Sequence, residues 1–173
     1  MRRRKLVRSF VIAAGLVFGM FQLFGRLGIR ISTSPSLPVG IYIATRDPDA
    51  KLVEFCPAEP FAALALERGY RDTGVCPDGG TPLLKPVVAQ AGDIVELSKN
   101  GIQVNGNLVS NTAPLRSDSK GRLLESWPFG LYPVAPGFMW VASSHHAMSF
   151  DSRYFGPVPA RAIRQRMRPF LTL

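Results

Sequence analysis

The sequence predicts an all-β domain with one small disulfide-bridged helical insert, carried behind a single N-terminal transmembrane helix. Three observations lead there. Sixteen Gly and fifteen Pro in 173 residues cut the chain into short runs that suit strands and turns better than long helices. The one long uncharged apolar stretch, residues 10–25, lies near the N-terminus. Outside it, the best helical pattern is confined to residues 57–72, between the only two cysteines.

Residues 1–8 form a basic cytoplasmic tail, opening Met1-Arg2-Arg3-Arg4-Lys5, and residues 9–30 form the anchor. Only Gln22 interrupts residues 10–25. As a helix they rise about 24 Å against a hydrocarbon core of about 30 Å. Leu6, Val7 and residues 27–31 extend the span if Arg8, Arg26 and Arg30 snorkel. The basic flank puts the N-terminus in the cytoplasm and residues 31–173 on the far side. A cleavable signal peptide is the competing reading, but no small-x-small site precedes Arg26, which favours an uncleaved anchor.

The formal charge of +9 first suggests a nucleic-acid partner. Seven Lys/Arg fall in residues 1–30 and four arginines in 161–173, with no acid in either segment. The body between them carries ten basic and twelve acidic residues. Charge placed at the two ends suits anionic membrane lipid and argues against nucleic acid. On the exported side, Cys56 and Cys76 are expected to pair. Closing a loop of that length contributes about 3 kcal/mol in the chain-entropy model.

Along the domain, residues 40–44, 83–89, 93–97 and 138–142 read as strands. Residues 102–104 and 108–109 flank Asn105-Gly106, a two-residue hairpin signal. The insert spans about 56–76, residues 111–126 read as a polar surface loop, and residues 161–168 alternate too poorly to assign.

Chemistry is concentrated at Lys85, the only charge in the run Leu83-Leu84-Lys85-Pro86-Val87-Val88-Ala89. A lysine there holds a costly charge, finds a partner or loses its proton. Full burial lowers a lysine pKa from about 10.4 by as much as ~3–5 units, and a neutral lysine is a general base for a serine. The plainer reading is a strand-edge lysine with its head in water. His145 and His146 are adjacent in a polar turn, a place for exposed side chains. The acids are scattered, and there is no Walker A, dinucleotide fingerprint or metal-ligand cluster, so neither metal nor cofactor is expected.

Three segments then carry a family resemblance. Lys85-Pro86-Val87-Val88-Ala89-Gln90-Ala91-Gly92-Asp93 resembles the lysine box of the type I signal peptidases, the Ser-Lys (S26) family. Ser149-Phe150-Asp151-Ser152-Arg153-Tyr154-Phe155-Gly156-Pro157-Val158 is similar to their Ser-x-Asp-Ser-Arg-x-x-Gly-x-Val box at every defined position. Ser36-Leu37-Pro38 stands where the family has its nucleophile, just past the anchor. The resemblance implies a signal-peptidase-like β fold, with Ser36 as nucleophile and Lys85 as general base. It also implies Ser149 as the hydroxyl orienting the lysine, and Asp151 with Arg153 as the pair holding the loop. Ser36 N–H and the Ser34 hydroxyl match the oxyanion donors, although Ser34 also reads as a turn residue before Pro35.

Two departures stand out: Ser-Leu-Pro-x-Gly-x-Tyr at the nucleophile, and Ser143-Ser144-His145-His146 where the family has Gly-Asp-Asn. With the short chain and the cysteine insert, they resemble the conjugative-transfer branch, TraF. That branch implies a bacterial inner-membrane enzyme with a periplasmic catalytic domain. Its substrate would be a propilin, cut by hydrolysis or cyclised, beside other mating-pair-formation components of type IV secretion. A general leader peptidase of the same fold is the nearest alternative, and a non-catalytic assembly factor is the reading from another class. A neutral Lys85 also requires apolar surroundings, so an apolar face able to meet lipid is expected next to the site.

Overall fold

A computed structural model describes residues 28–173 of the chain. The expected basic tail and residues 9–27 of the anchor lie outside the described residues. The anchor's expected last residues, 28–30, are a turn and the start of a strand. Ile29–Ser32 forms strand β1, so the β domain starts before residue 31. The reason is a period-2 pattern, with Ile29 and Ile31 set opposite Ile43 and Ile41 of β2 (Gly40–Thr45).

The remaining elements are β3 (Leu52–Phe55), α1 (Phe61–Glu67), β4 (Leu83–Gln90), β5 (Ile94–Ser98), β6 (Gly101–Val104) and β7 (Asn107–Leu108). They continue with β8 (Gly130–Pro133), β9 (Phe138–Val141), α2 (Ser152–Phe155), β10 (Val158–Pro159), a 3-10 turn at Ala160–Ala162, and β11 (Ile163–Thr172). The architecture is the expected all-β one, although α2 adds a second short helix beside the insert. One sheet runs β1-β2-β11-β3-β4-β9-β10 and a smaller one β7-β6-β5-β8. Every pairing is antiparallel.

Asn105 and Gly106 take φ of 50° and 82°, the left-handed pair that a tight hairpin needs. The Cys56–Cys76 disulfide is closed and staples the excursion holding α1. β11, unassignable from its pattern, is the longest strand and lies between β2 and β3. Bulges between Ile163 and Gln165 and between Pro169 and Leu171 reset its pleat, so no single alternation runs through it.

Three apolar clusters set the frame. The largest joins Val53, Phe55, Val141, Phe150 and Phe155 between the large sheet and the insert. A second, around Trp140, Val95, Leu97 and Ile102, fastens the small sheet to β4 and β9. The third contains Leu37, Tyr42, Leu84 and Met167. It seats the neighbours of Ser36 and Lys85 in one patch, and Tyr42 Oη donates to the Pro38 carbonyl at 2.6 Å. Burial of four such side chains is worth roughly 1.5–3 kcal/mol for each large one, so the Ser36 segment and β4 are held together by core packing.

The loop at 111–126 is tied down more firmly than a polar surface loop requires. Tyr70 Oη and Arg122 Nε both donate to Asp118, at 2.6 and 2.7 Å. Arg122 also reaches the Arg68 carbonyl at the end of α1. The loop and the stapled insert therefore form one wall.

Candidate active site

The fold brings Ser36, Lys85 and Ser149 together from three separate segments. Lys85 Nζ lies 2.7 Å from Ser36 Oγ and 2.8 Å from Ser149 Oγ, donating to both. All three residues are buried, Lys85 at 4% exposure. Lys85 therefore does not snorkel. Burial pushes its pKa down from 10.5 to about 8; the charge of Asp151 opposes this, and Arg153 and Arg30 act in the same direction as burial.

Asp151 and Arg153 are completely buried. Arg153 Nε and Nη2 donate to the two oxygens of Asp151 at 2.8 and 2.9 Å, a bidentate pair. Asp151 also caps α2, accepting from Arg153 N–H. Arg153 uses its remaining donors on the carbonyls of Asn111, Ala113, Ala147 and Ser149. A buried arginine with every side-chain nitrogen bonded fixes the carbonyl of Ser149 and, through it, the residue whose hydroxyl meets Lys85.

Ser143 was not singled out by its sequence context. It is fully buried, and its Oγ donates to the Ser36 carbonyl at 2.5 Å. Its own N–H donates to Asp151 Oδ2 at 3.1 Å. The backbone N–H groups of His145 and His146 point back at Ser143 Oγ, at 3.1 and 3.4 Å. Ser143 thus joins the Asp151–Arg153 pair to the backbone of Ser36. A serine at the end of a strand carries no signal of that kind; its place in the family's Gly-Asp-Asn segment was the only pointer. Neither imidazole bonds to Ser36 or Lys85. His146 Nδ1 accepts from Met148 N–H.

Ser34 is exposed and two residues before Ser36. Ser36 N–H donates to Ser34 Oγ at 3.3 Å, so the two expected oxyanion donors are adjacent and one is engaged with the other. Arg30, expected at a lipid headgroup, instead donates to Glu54 Oε2 at 3.0 Å and to the Pro82 carbonyl at 2.8 Å.

An open groove of ≈ 1390 Å³ runs past this cluster. Ser34, Ser36 and Lys85 line it together with Arg30, Leu83 and His146. β9 pairs with β4 only from Val87 onward, which leaves the segment before Lys85 open on that side. Such a trough, with a buried serine hydroxyl and a low-pKa amine beneath it, suits an extended peptide.

The family described as signal peptidase, peptidase S26, matches residues 3–171. Plasmid transfer protein TraF of Escherichia coli is 34% identical over 172 residues, covering 97% of each chain. Conjugal transfer protein TraF of Agrobacterium fabrum (strain C58) is 36% identical over 178 residues, covering 99% of this chain and 98% of that one. A signal peptidase I of Enterococcus faecalis V583 aligns in structure with a TM-score of 0.39 and 18% identity, over 71% of this chain and 98% of that one.

Proposed function

The chain belongs to the signal peptidase family, peptidase S26, and on that premise we propose that it is a membrane-anchored serine endopeptidase with a Ser36–Lys85 dyad that matures a conjugative propilin. The observation that carries the reading is the buried Lys85 amine, with a pKa near 8, 2.7 Å from Ser36 Oγ. The TraF proteins, one named for plasmid transfer and one for conjugal transfer, match nearly end to end and support the conjugative assignment.

In this mechanism neutral Lys85 takes the Ser36 proton while Ser149 holds the amine in line. Ser36 Oγ attacks the scissile carbonyl carbon. The oxyanion that forms is met by Ser36 N–H and the Ser34 hydroxyl. Ser34 Oγ accepts a hydrogen bond in the free enzyme, which leaves its own hydroxyl hydrogen available to donate. The C–N bond then breaks, the proton on Lys85 passes to the leaving amine, and an acyl-Ser36 ester remains. Water, deprotonated by Lys85, releases an acid. An amine from the pilin's own N-terminus forms a new peptide bond instead, which closes a ring.

Membrane placement follows the same reading, with the N-terminus in the cytoplasm and residues 31–173 in the periplasm. An apolar corner beside the nucleophile segment supports it: Ile31 and Phe170 are 63% and 67% exposed, and Val39, Leu171 and Leu173 lie next to them. Enzyme and substrate held at one surface raise the effective concentration of the acceptor amine.

The test is the intact mass of the mature pilin from cells with and without this protein. Shortening that depends on the protein supports the reading, and the further loss of one water separates cyclisation from hydrolysis. A pilin of the same mass in both cells would sink it and leave a general leader peptidase or an assembly factor.

A further inference from the structure

The groove contains an uneven charge cluster that the dyad does not use. Arg30 on β1 crosses to Glu54 Oε2 and to the Pro82 carbonyl, at 3.0 and 2.8 Å. Arg164 on β11 approaches the other oxygen of the same carboxylate, with Nε 3.6 Å from Glu54 Oε1. All three side chains line the groove. One carboxylate therefore faces two guanidinium groups, leaving one positive charge in excess on that wall. The acids nearby do not cancel it: Asp118 is paired with Arg122, and Asp72 lies beyond ion-pair distance of both arginines among the described residues. Arg30 uses two of its five N–H bonds, and Arg164 makes no hydrogen bond among the described residues. The Glu54 side chain is 9% exposed, whereas those of Arg30 and Arg164 are 26% and 43% exposed. The acid is covered and the unused donors are open to the groove.

The position of the cluster sets a spacing. Pro82 precedes Lys85 by three residues, and the Lys85 amine touches Ser36. At a strand rise of about 3.3 Å per residue, the Pro82 position that Arg30 holds lies about 10 Å along the strand from Lys85, a span that an extended peptide covers in about three residues. Pro86 turns its carbonyl to Ala142 N–H. By alternation, Leu84 presents its N–H and carbonyl on that same side, where β9 does not reach it. A peptide lying there is carried past Arg30.

Building on the peptidase reading above, we propose that Arg30 and Arg164 form a subsite for one carboxylate of the peptide substrate, about three residues from the scissile bond. The chemistry is that of planar guanidinium forks, which match a carboxylate in two-point geometry and hold it better than an amide of the same shape. The carboxylate comes from an Asp or Glu side chain or from the free C-terminus of a short leaving segment.

The test uses the full chain in detergent micelles and a randomised dodecapeptide library made both as C-terminal acids and as C-terminal amides. Cut sites are read by mass spectrometry, with Ser36→Ala as the blank. If a side chain supplies the group, Asp and Glu are enriched about tenfold over Asn and Gln three residues from the cut bond in both libraries. If the terminus supplies it, cuts gather about three residues from the end in the acid library alone. In Arg30→Gln and in Arg164→Gln the acid-to-amide ratio falls toward one; the more exposed Arg164 serves if the Arg30 variant does not fold. Cleavage that treats acid and amide residues alike, or an enrichment that survives both substitutions, overturns the subsite and leaves the peptidase reading standing. If the wild-type chain cuts no peptide, the peptidase reading falls and the subsite with it.

Discussion

Raising the pH through the titration of Lys85 should switch peptide cleavage on. Only the neutral amine accepts the Ser36 proton, and burial brings its pKa down to about 8. At that value about 1% of the enzyme is competent at pH 6, about 10% at pH 7 and about 90% at pH 9. The value of kcat/KM then climbs about tenfold between pH 6 and 7 and levels off above about pH 9. A lysine with its ordinary pKa would be only about 0.3% neutral at pH 8. The assay is initial-rate cleavage of one peptide at constant ionic strength from pH 5.5 to 10.5. Arg30 is among the charges that lower the Lys85 pKa, so Arg30→Gln should move the rising limb to higher pH. A flat profile between pH 6 and 9, or a rise that begins only above pH 10, would refute Lys85 as the base. Stability must follow with a definite sign. Folded Lys85 loses its proton before unfolded Lys85 does, so between about pH 8 and pH 10.4 the unfolded chain binds more protons and stability rises with pH. Below pH 8 the full cost of the buried charge applies, about 3 kcal/mol.

The other expectations concern the parts around that amine. Lys85→Arg should be inactive because a guanidinium keeps its proton at any usable pH. Lys85→Met should be equally inactive yet no less stable at pH 7 by urea unfolding, since it removes a buried charge; a destabilisation above about 1 kcal/mol would contradict that. Arg153→Ala strands the buried Asp151 carboxylate and should cost about 3–5 kcal/mol, and Arg153→Lys should not restore the bidentate pair. A loss under about 1 kcal/mol in Arg153→Ala would show that the pair is dispensable. Replacing Cys56 and Cys76 by serine should lower stability by about 3 kcal/mol while the folded fraction keeps its kcat/KM. Loss of turnover in well-folded protein would refute a purely structural bridge.

What could be read from the sequence depended on how local the cause was. Asn105-Gly106 was legible because its turn needs only two residues of left-handed backbone. The run around Lys85 was legible as an anomaly, but its partners Ser36 and Ser149 stand 49 and 64 residues away. No spacing rule spans those distances, and only the family boxes supplied them. β8 is not legible because Gly130 and Pro133 bracket a four-residue strand and read as turn residues. β11 is not legible because its bulges break the alternation, and two of its arginines turn to other strands and loops, Arg164 to Glu54 and Arg166 to the Ala50 carbonyl. Nearness to the apolar stretch assigns Arg30 to the anchor in the sequence. Its partners Glu54 and Pro82 lie 24 and 52 residues further on, so its role follows from the closure of the large sheet.

The central claim is that Ser36 and Lys85 act as one unit, and a double-mutant cycle on single-turnover cleavage tests it most directly. Ser36→Ala, Lys85→Ala and the double variant, each checked for native folding, should fall to the same residual rate, because removing either member disables the other. Multiplicative losses in the double variant, or a folded Ser36→Ala that turns over faster than the double variant, would contradict it.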